Sequence, residues 1–197
     1  MQSSASSCTI DVDPARPLWV FGYGSLIWSP DFPVAERRIG RVQGWRRSFC
    51  MWSVHHRGTV DRPGLVLALQ QAPAAGCEGV ALRVTPGAEA ETLALLRERE
   101  LVSSAYLERM LAVDPLDGSG RVQALAYVMD AAHPQHAGSL GLEEQARIIL
   151  AARGRRGENR DYLWSTVHHL GQLGIGDGDL EWLAGRVREL AAEENPS

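Results

Sequence analysis

Lysine does not occur in this chain of 197 residues; all 20 of its basic side chains are arginines. A phosphate-binding loop ending in Gly-Lys-Ser/Thr is therefore excluded. Cysteine is sparse. Cys8, Cys50 and Cys77 form an odd set with no Cys-x-x-Cys spacing, which argues against a disulfide framework or a thiolate zinc site and for a reducing compartment. No run approaches the ~20 apolar residues that a membrane-spanning helix needs. The opening MQSSASSCTIDVDPARP has neither early positive charge nor an apolar core, so no secretory leader is read there, and Cys8 follows serines rather than the apolar run of a lipoprotein anchor. The net charge is −4 and the arginines are scattered, which argues against a nucleic-acid binder with its basic face.

What is present is an ordinary globular composition, 45% hydrophobic and 22% charged, enough to bury one core. Serines among the first seven residues and two prolines by position 17 predict a flexible tail over 1–16 and a single domain over 17–197. The expected setting is the cytoplasm, with no membrane or nucleic-acid partner and a monomer or weak homodimer.

Short apolar or alternating runs predict strands at 18–23, 41–49, 65–70, 78–84 and 121–129. Gly44 predicts a bulge or bend in the second. In the fourth, Val80, Leu82 and Val84 share one face; in the last, Val122, Ala124, Ala126 and Val128 oppose Gln123, Leu125, Tyr127 and Met129. Strong helix formers predict a helix over 88–100. Three more follow, on the stripes Leu142–Leu150, Tyr162–Leu170 and Leu180–Ala191, with Asn159 or Asp161 and then Asp179 as caps. Strands first and helices after predict an α+β fold with a small mixed or barrel-like sheet.

Phe21-Gly22-Tyr23-Gly24-Ser25-Leu26 runs a strand into a turn where two glycines free the backbone and successive N–H groups can converge on an anion. The alternative is a tight turn with nothing bound. Ile27 stands where a dinucleotide fingerprint needs its third glycine, and Ser25 lacks the frame of a nucleophile elbow. Leu93, Leu96 and Glu100 share one helical face, and Glu98 points to solvent. Glu100 thus reads either as a partly desolvated base or as a surface residue at a frayed end, paired with Arg97 or Arg99. The six histidines fall in adjacent or proline-broken pairs without metal-ligand spacing. Tyr127 reads as core, its hydroxyl needing a partner if buried.

PLWVFGYGSLIWSPDFP, GRVQGWRRSFCMWSVHHRGTVDRPGLVLAL, CEGVALRV, RERELVSSAY and ALAYVMD, in that order, closely resemble the ChaC-like family of γ-glutamylcyclotransferases. The resemblance implies a small mixed β-barrel with flanking helices. It also implies a small-molecule substrate, glutathione or a γ-glutamyl peptide, with glutathione cleaved to 5-oxoproline and cysteinylglycine, and no cofactor or metal. It places the substrate loop on Val20, Phe21, Gly22, Tyr23, Gly24 and Ser25, the catalytic glutamate on Glu100, and pocket tyrosines on Tyr106 and Tyr127. The chain departs from the family at Ser103-Ser104-Ala105, where many members have a glycine-rich step. Rival readings are a cyclotransferase for other γ-glutamyl amino acids or γ-glutamylamines, and a non-catalytic regulator related to cation transport.

Overall fold

The computed structural model describes Ile10, Asp13 and residues 16–101 and 103–194. Most of the expected tail lies outside these residues; Ile10 is held by its backbone, its N–H donating to Glu108 Oε2 at 2.9 Å and its carbonyl accepting from Arg97 at 2.7 Å.

Five strands close a barrel: β1 (Trp19–Gly22), β2 (Val34–Ser53), β3 (Gly64–Val84), β4 (Tyr106–Pro115) and β5 (Val122–Met129), in the order β1-β3-β2-β4-β5. Parallel bridges from β5 to Val20 and Leu69 complete the circuit. Helix α1 (Glu89–Glu100) joins β3 to β4. After β5 come α2 (Leu142–Ala151), a hairpin of β6 (Arg153–Gly154) and β7 (Gly157–Glu158), α3 (Asn159–Gln172) and α4 (Gly178–Glu194). The α+β barrel is the expected class.

Alternation along the strands divides the core as anticipated. Val20, Val80, Leu82, Val84, Leu125, Tyr127 and Met129 join the larger apolar cluster with residues of all four helices, while Trp19, Phe21, Ala81, Ala124, Ala126 and Val128 form a second cluster built without helices. Cys50 and Cys77 are buried free thiols, one in each.

Several boundaries differ. The strands expected at 65–70 and 78–84 are one strand, β3, in which register jumps from Gly76 opposite Gln43 to Gln71 opposite Trp45. Pro73, which has no N–H to give a ladder, lies within that jump, and Gly44 faces it at φ +79°, the anticipated bulge. β4 was not foreseen, because Glu108 sits at an inward position and its alternation therefore reads as polar. The cap of α4 is Asp177 rather than Asp179: its Oδ1 accepts the Leu180 N–H at 3.2 Å.

Candidate active site

β1 ends at Gly22, and Gly24 opens a single 3-10 turn, Ser25–Ile27, closed by the Ile27 N–H to the Gly24 carbonyl at 2.9 Å. The leading N–H groups of such a turn, here on Ser25 and Leu26, have no acceptor within the turn itself. Buried Arg47 fixes the approach: its Nη1 donates to the carbonyls of Tyr23 at 2.9 Å and Glu78 at 3.1 Å, and its Nε pairs with Asp177 at 3.0 Å. Neither Gly22 nor Gly24 has positive φ, and Gly24 lies at φ −144° and ψ −129°. A Cβ at Gly24 would stand 3.5 Å from the Tyr162 hydroxyl, an ordinary van der Waals contact.

Glu100 is the last residue of α1, its side chain 17% exposed, and Glu98 faces solvent. Each sequence reading of Glu100 is partly realised. It pairs with Arg99, Nε to Oε1 at 3.1 Å, yet burial raises its carboxyl above the usual range against the opposing pull of Arg99 and Arg156, with Asp31 adding to the rise. Arg99 divides its charge. Its guanidinium donates to the Ser29 carbonyl at 2.8 Å, to Asp31 Oδ2 at 2.5 Å and to Ser25 Oγ at 2.9 Å, so it fastens the glycine loop to the end of α1.

Three tyrosines stand beside this pair. Tyr106 donates to the Leu67 carbonyl at 2.8 Å, and Tyr127 donates to Glu108 Oε1 at 3.2 Å while its carbonyl receives the Tyr23 hydroxyl at 2.7 Å. Burial pushes the hydroxyls of Tyr106, Tyr127 and Tyr162 up, that of Tyr162 to about 12, so all three remain protonated at neutral pH. The Tyr127 hydroxyl thus finds the partner its burial required.

The opposite wall was not foreseen from sequence as part of the site. Asn159, at the start of α3, grips β3 through both Leu65 backbone groups at 2.7 Å, and Gly64 leaves the close approach open, since a Cβ there would lie 2.2 Å from the Arg57 carbonyl. This sets Tyr162 under the Arg57 guanidinium, 5.3 Å from ring centre to Cζ. His56 lies alongside, its imidazole held below its ordinary pKa by burial and then by Arg156, and so neutral at pH 7.

These elements enclose one cavity of about 320 Å³. Of the residues singled out in the sequence, Tyr23, Gly24, Ser25, Glu100, Tyr106 and Tyr127 line it, together with Trp28, Trp52, His55, His56, Arg57, Arg99, Arg156 and Tyr162. Val20, Phe21 and Gly22 do not: they lie behind the wall in β1, Val20 and Phe21 in the two core clusters. Among the described residues no group of three His, Cys, Asp or Glu side chains could hold a metal ion. The chemistry on offer is a desolvated carboxylate and a turn of backbone donors in one cavity, with further arginines in its lining.

A family model described as ChaC-like protein matches residues 18–190. A protein named glutathione-specific γ-glutamylcyclotransferase from Escherichia coli strain K12 is 37% identical over 180 residues, covering 91% of this chain and 77% of that one. The human glutathione-specific γ-glutamylcyclotransferase 1 is 38% identical over 154 residues, covering 78% and 69%. A crystal structure of a γ-glutamyl cyclotransferase specific to glutathione from yeast shares the fold, with a TM-score of 0.79 at 23% identity over 88% of this chain and 96% of that one. Fold, cavity and sequence agree on one assignment: the chain belongs to the ChaC-like family.

Proposed function

We propose that this chain is a γ-glutamylcyclotransferase that cleaves glutathione to 5-oxoproline and cysteinylglycine. The observation that carries the reading is Glu100, a carboxylate held above its usual pKa in a cavity that also contains the Tyr23–Ser25 loop. Relatives of the same family bear the name of this activity.

The substrate's own α-amine attacks its γ-carbonyl carbon, closing a five-membered lactam. Free α-amines have pKa values near 8, so a base must take the proton as the N–C bond forms. Glu100 is that base. The electrons of the carbonyl move onto oxygen, and the oxyanion or the α-carboxylate rests on the N–H groups of the Ser25 turn. Collapse of the tetrahedral centre breaks the bond to the cysteine nitrogen, and Glu100 returns its proton there. No water is consumed and no protein nucleophile is needed. The cavity's contribution is to hold the folded conformer, for which correct positioning is worth up to ~7–11 kcal/mol in model cyclisations. Arg99 sets the distance between base and loop, and Tyr106 and Tyr127 bound the glutamyl moiety. Val20, Phe21 and Gly22 act through the strand that carries the loop.

Residues 17–197 act as one domain, in the cytoplasm, as a monomer or weak homodimer, with no nucleic-acid or membrane partner. Among the described residues no helix is long and apolar enough to cross a membrane. Purified protein mixed with glutathione, with chelator present, should release 5-oxoproline and cysteinylglycine in equal amounts. Absence of 5-oxoproline, or rescue only by a particular metal, would refute the reading.

A further inference from the structure

The β6–β7 hairpin presents Arg155 and Arg156 at its tip, between Gly154 and Gly157. Its position is tightly set. The N–H of Arg155 donates to the His55 carbonyl at 3.0 Å and that of Arg156 to the His56 carbonyl at 2.9 Å. Gly154 allows this approach, since a Cβ there would stand 2.5 Å from the His56 carbonyl. Arg57 completes the clamp, its Nη1 donating to the carbonyls of Arg156 at 2.7 Å and Glu158 at 3.2 Å. The backbone of Arg156 is thereby fixed at the rim of the cavity while its guanidinium remains exposed.

The charge pattern is lopsided. Arg99 is neutralised by Asp31 and Glu100. Among the described residues neither Arg57 nor Arg156 has a carboxylate within ion-pair distance, although both line the cavity. Asp161 reaches Arg57, and Glu100 reaches Arg156, only through their fields. His56, being neutral, adds no charge to the rim. The cavity therefore carries two cations without a carboxylate in ion-pair contact among the described residues, one of them, Arg156, close enough for its field to reach Glu100.

We infer that Arg156 receives the terminal carboxylate of the substrate's peptide arm and so selects γ-glutamyl peptides that end in a free carboxylate two residues beyond the γ-carbonyl. This rests on the cyclotransferase reading above. Geometry assigns the ends. The amine and α-carboxylate lie on the glutamyl carbon and must stay with Glu100 and the Ser25 turn. Two extended residues span at most ~7 Å, which carries the far carboxylate from the reacting carbonyl toward a guanidinium that feels Glu100 without pairing to it. Arg57 is a positioning residue, holding the Arg156 backbone.

The test compares glutathione with its C-terminal amide, reading 5-oxoproline release for the wild type, R156Q and R156K, each checked for folding by circular dichroism. The wild type should prefer the acid by about tenfold in kcat/KM, about 1.4 kcal/mol, expressed in KM. R156Q should bring that ratio close to one. R156K should restore part of it, because the exposed site needs charge more than a fork. Added salt should raise the wild-type KM for glutathione but not that of R156Q. Equal treatment of acid and amide by the wild type, or an unchanged ratio in R156Q, overturns the assignment while leaving the cyclotransferase reading intact. No 5-oxoproline from either compound removes that reading and this one with it.

Discussion

Glu100 and Glu108 lie eight residues apart, both taken largely out of water, and they titrate in opposite directions. Glu108 is the more buried, at 0% exposure, yet its carboxyl is held below the usual range. Burial acts on it in the upward sense. Against that stand two hydrogen bonds from Arg97, at 2.9 and 3.0 Å, the Ile10 N–H at 2.9 Å and the Tyr127 hydroxyl at 3.2 Å. Glu100 retains 17% exposure, and among the described residues its one ion pair is with Arg99, which it shares with Asp31, Ser29 and Ser25. Depth of burial does not decide which carboxylate can act as a base; the number of donors committed to its ionised form does.

The largest expected effect exchanges each glutamate for glutamine. Glu100→Gln keeps the shape but cannot accept the ammonium proton, so turnover should fall by at least about a hundredfold with little change in KM. Glu98→Gln, on the solvent side of the same helix, should leave 5-oxoproline release unchanged; the reverse result would move the base by two residues. Glu108→Gln should act mainly on stability, since it removes the buried carboxylate that takes two hydrogen bonds from Arg97, one from the Ile10 N–H and one from the Tyr127 hydroxyl. A loss of about 3 kcal/mol is expected, seen as a fall in melting temperature of roughly 6–12 °C. A Glu108 variant that melts normally but has lost its turnover would erase the distinction.

A smaller effect separates the two by pH. The depressed carboxyl of Glu108 contributes stability above the unfolded value of about 4.3, and this is lost as pH falls through its lower folded value. The penalty of Glu108→Gln should therefore fade in acid. For Glu100 the sign is opposite: its raised value favours the folded state below about pH 4.3, and that advantage disappears as pH rises through the folded value. Glu100→Gln should be more stable than the wild type at neutral pH and level with it in acid. Melting curves of both variants across pH 3–8 would read this crossing.

The smallest effect lies in the turn that joins them. Ser104 sits at φ +54°, where a side chain is unfavourable, so Ser104→Gly should stabilise the protein by up to about 1 kcal/mol. A loss of stability would mean that the serine side chain is needed there.

The barrel was legible wherever alternation was clean, as in 78–84 and 121–129, because one face of each strand is apolar and the period of two shows it. It failed at β4 for the same reason that makes Glu108 interesting: a buried charge paired across 11 residues to Arg97 looks polar in a linear pattern. Under the proposed function the reactive end could be read from Glu100 and the glycine loop once the family resemblance had chosen between the two readings of each. The cationic end could not. Arg57 stood within the His-Arg-Gly-Thr segment and Arg156 in an arginine-rich run between two glycines, but what brings them together is the bond from Arg57 to the Arg156 carbonyl, 99 residues away, and the hairpin N–H groups on the His55 and His56 carbonyls. Helical spacing carries no trace of such a contact.

Arg47 and Asp177, which fix the Tyr23 carbonyl ahead of the loop, are 130 residues apart. At a synthesis rate of ~5–20 residues per second, that separation is on the order of ten seconds of translation. The loop can emerge well before the helix that fixes its exit from β1 exists. A nascent chain, or one cut before Asp177, would carry the Ser25 turn and Glu100 without the Arg47–Asp177 brace behind the loop.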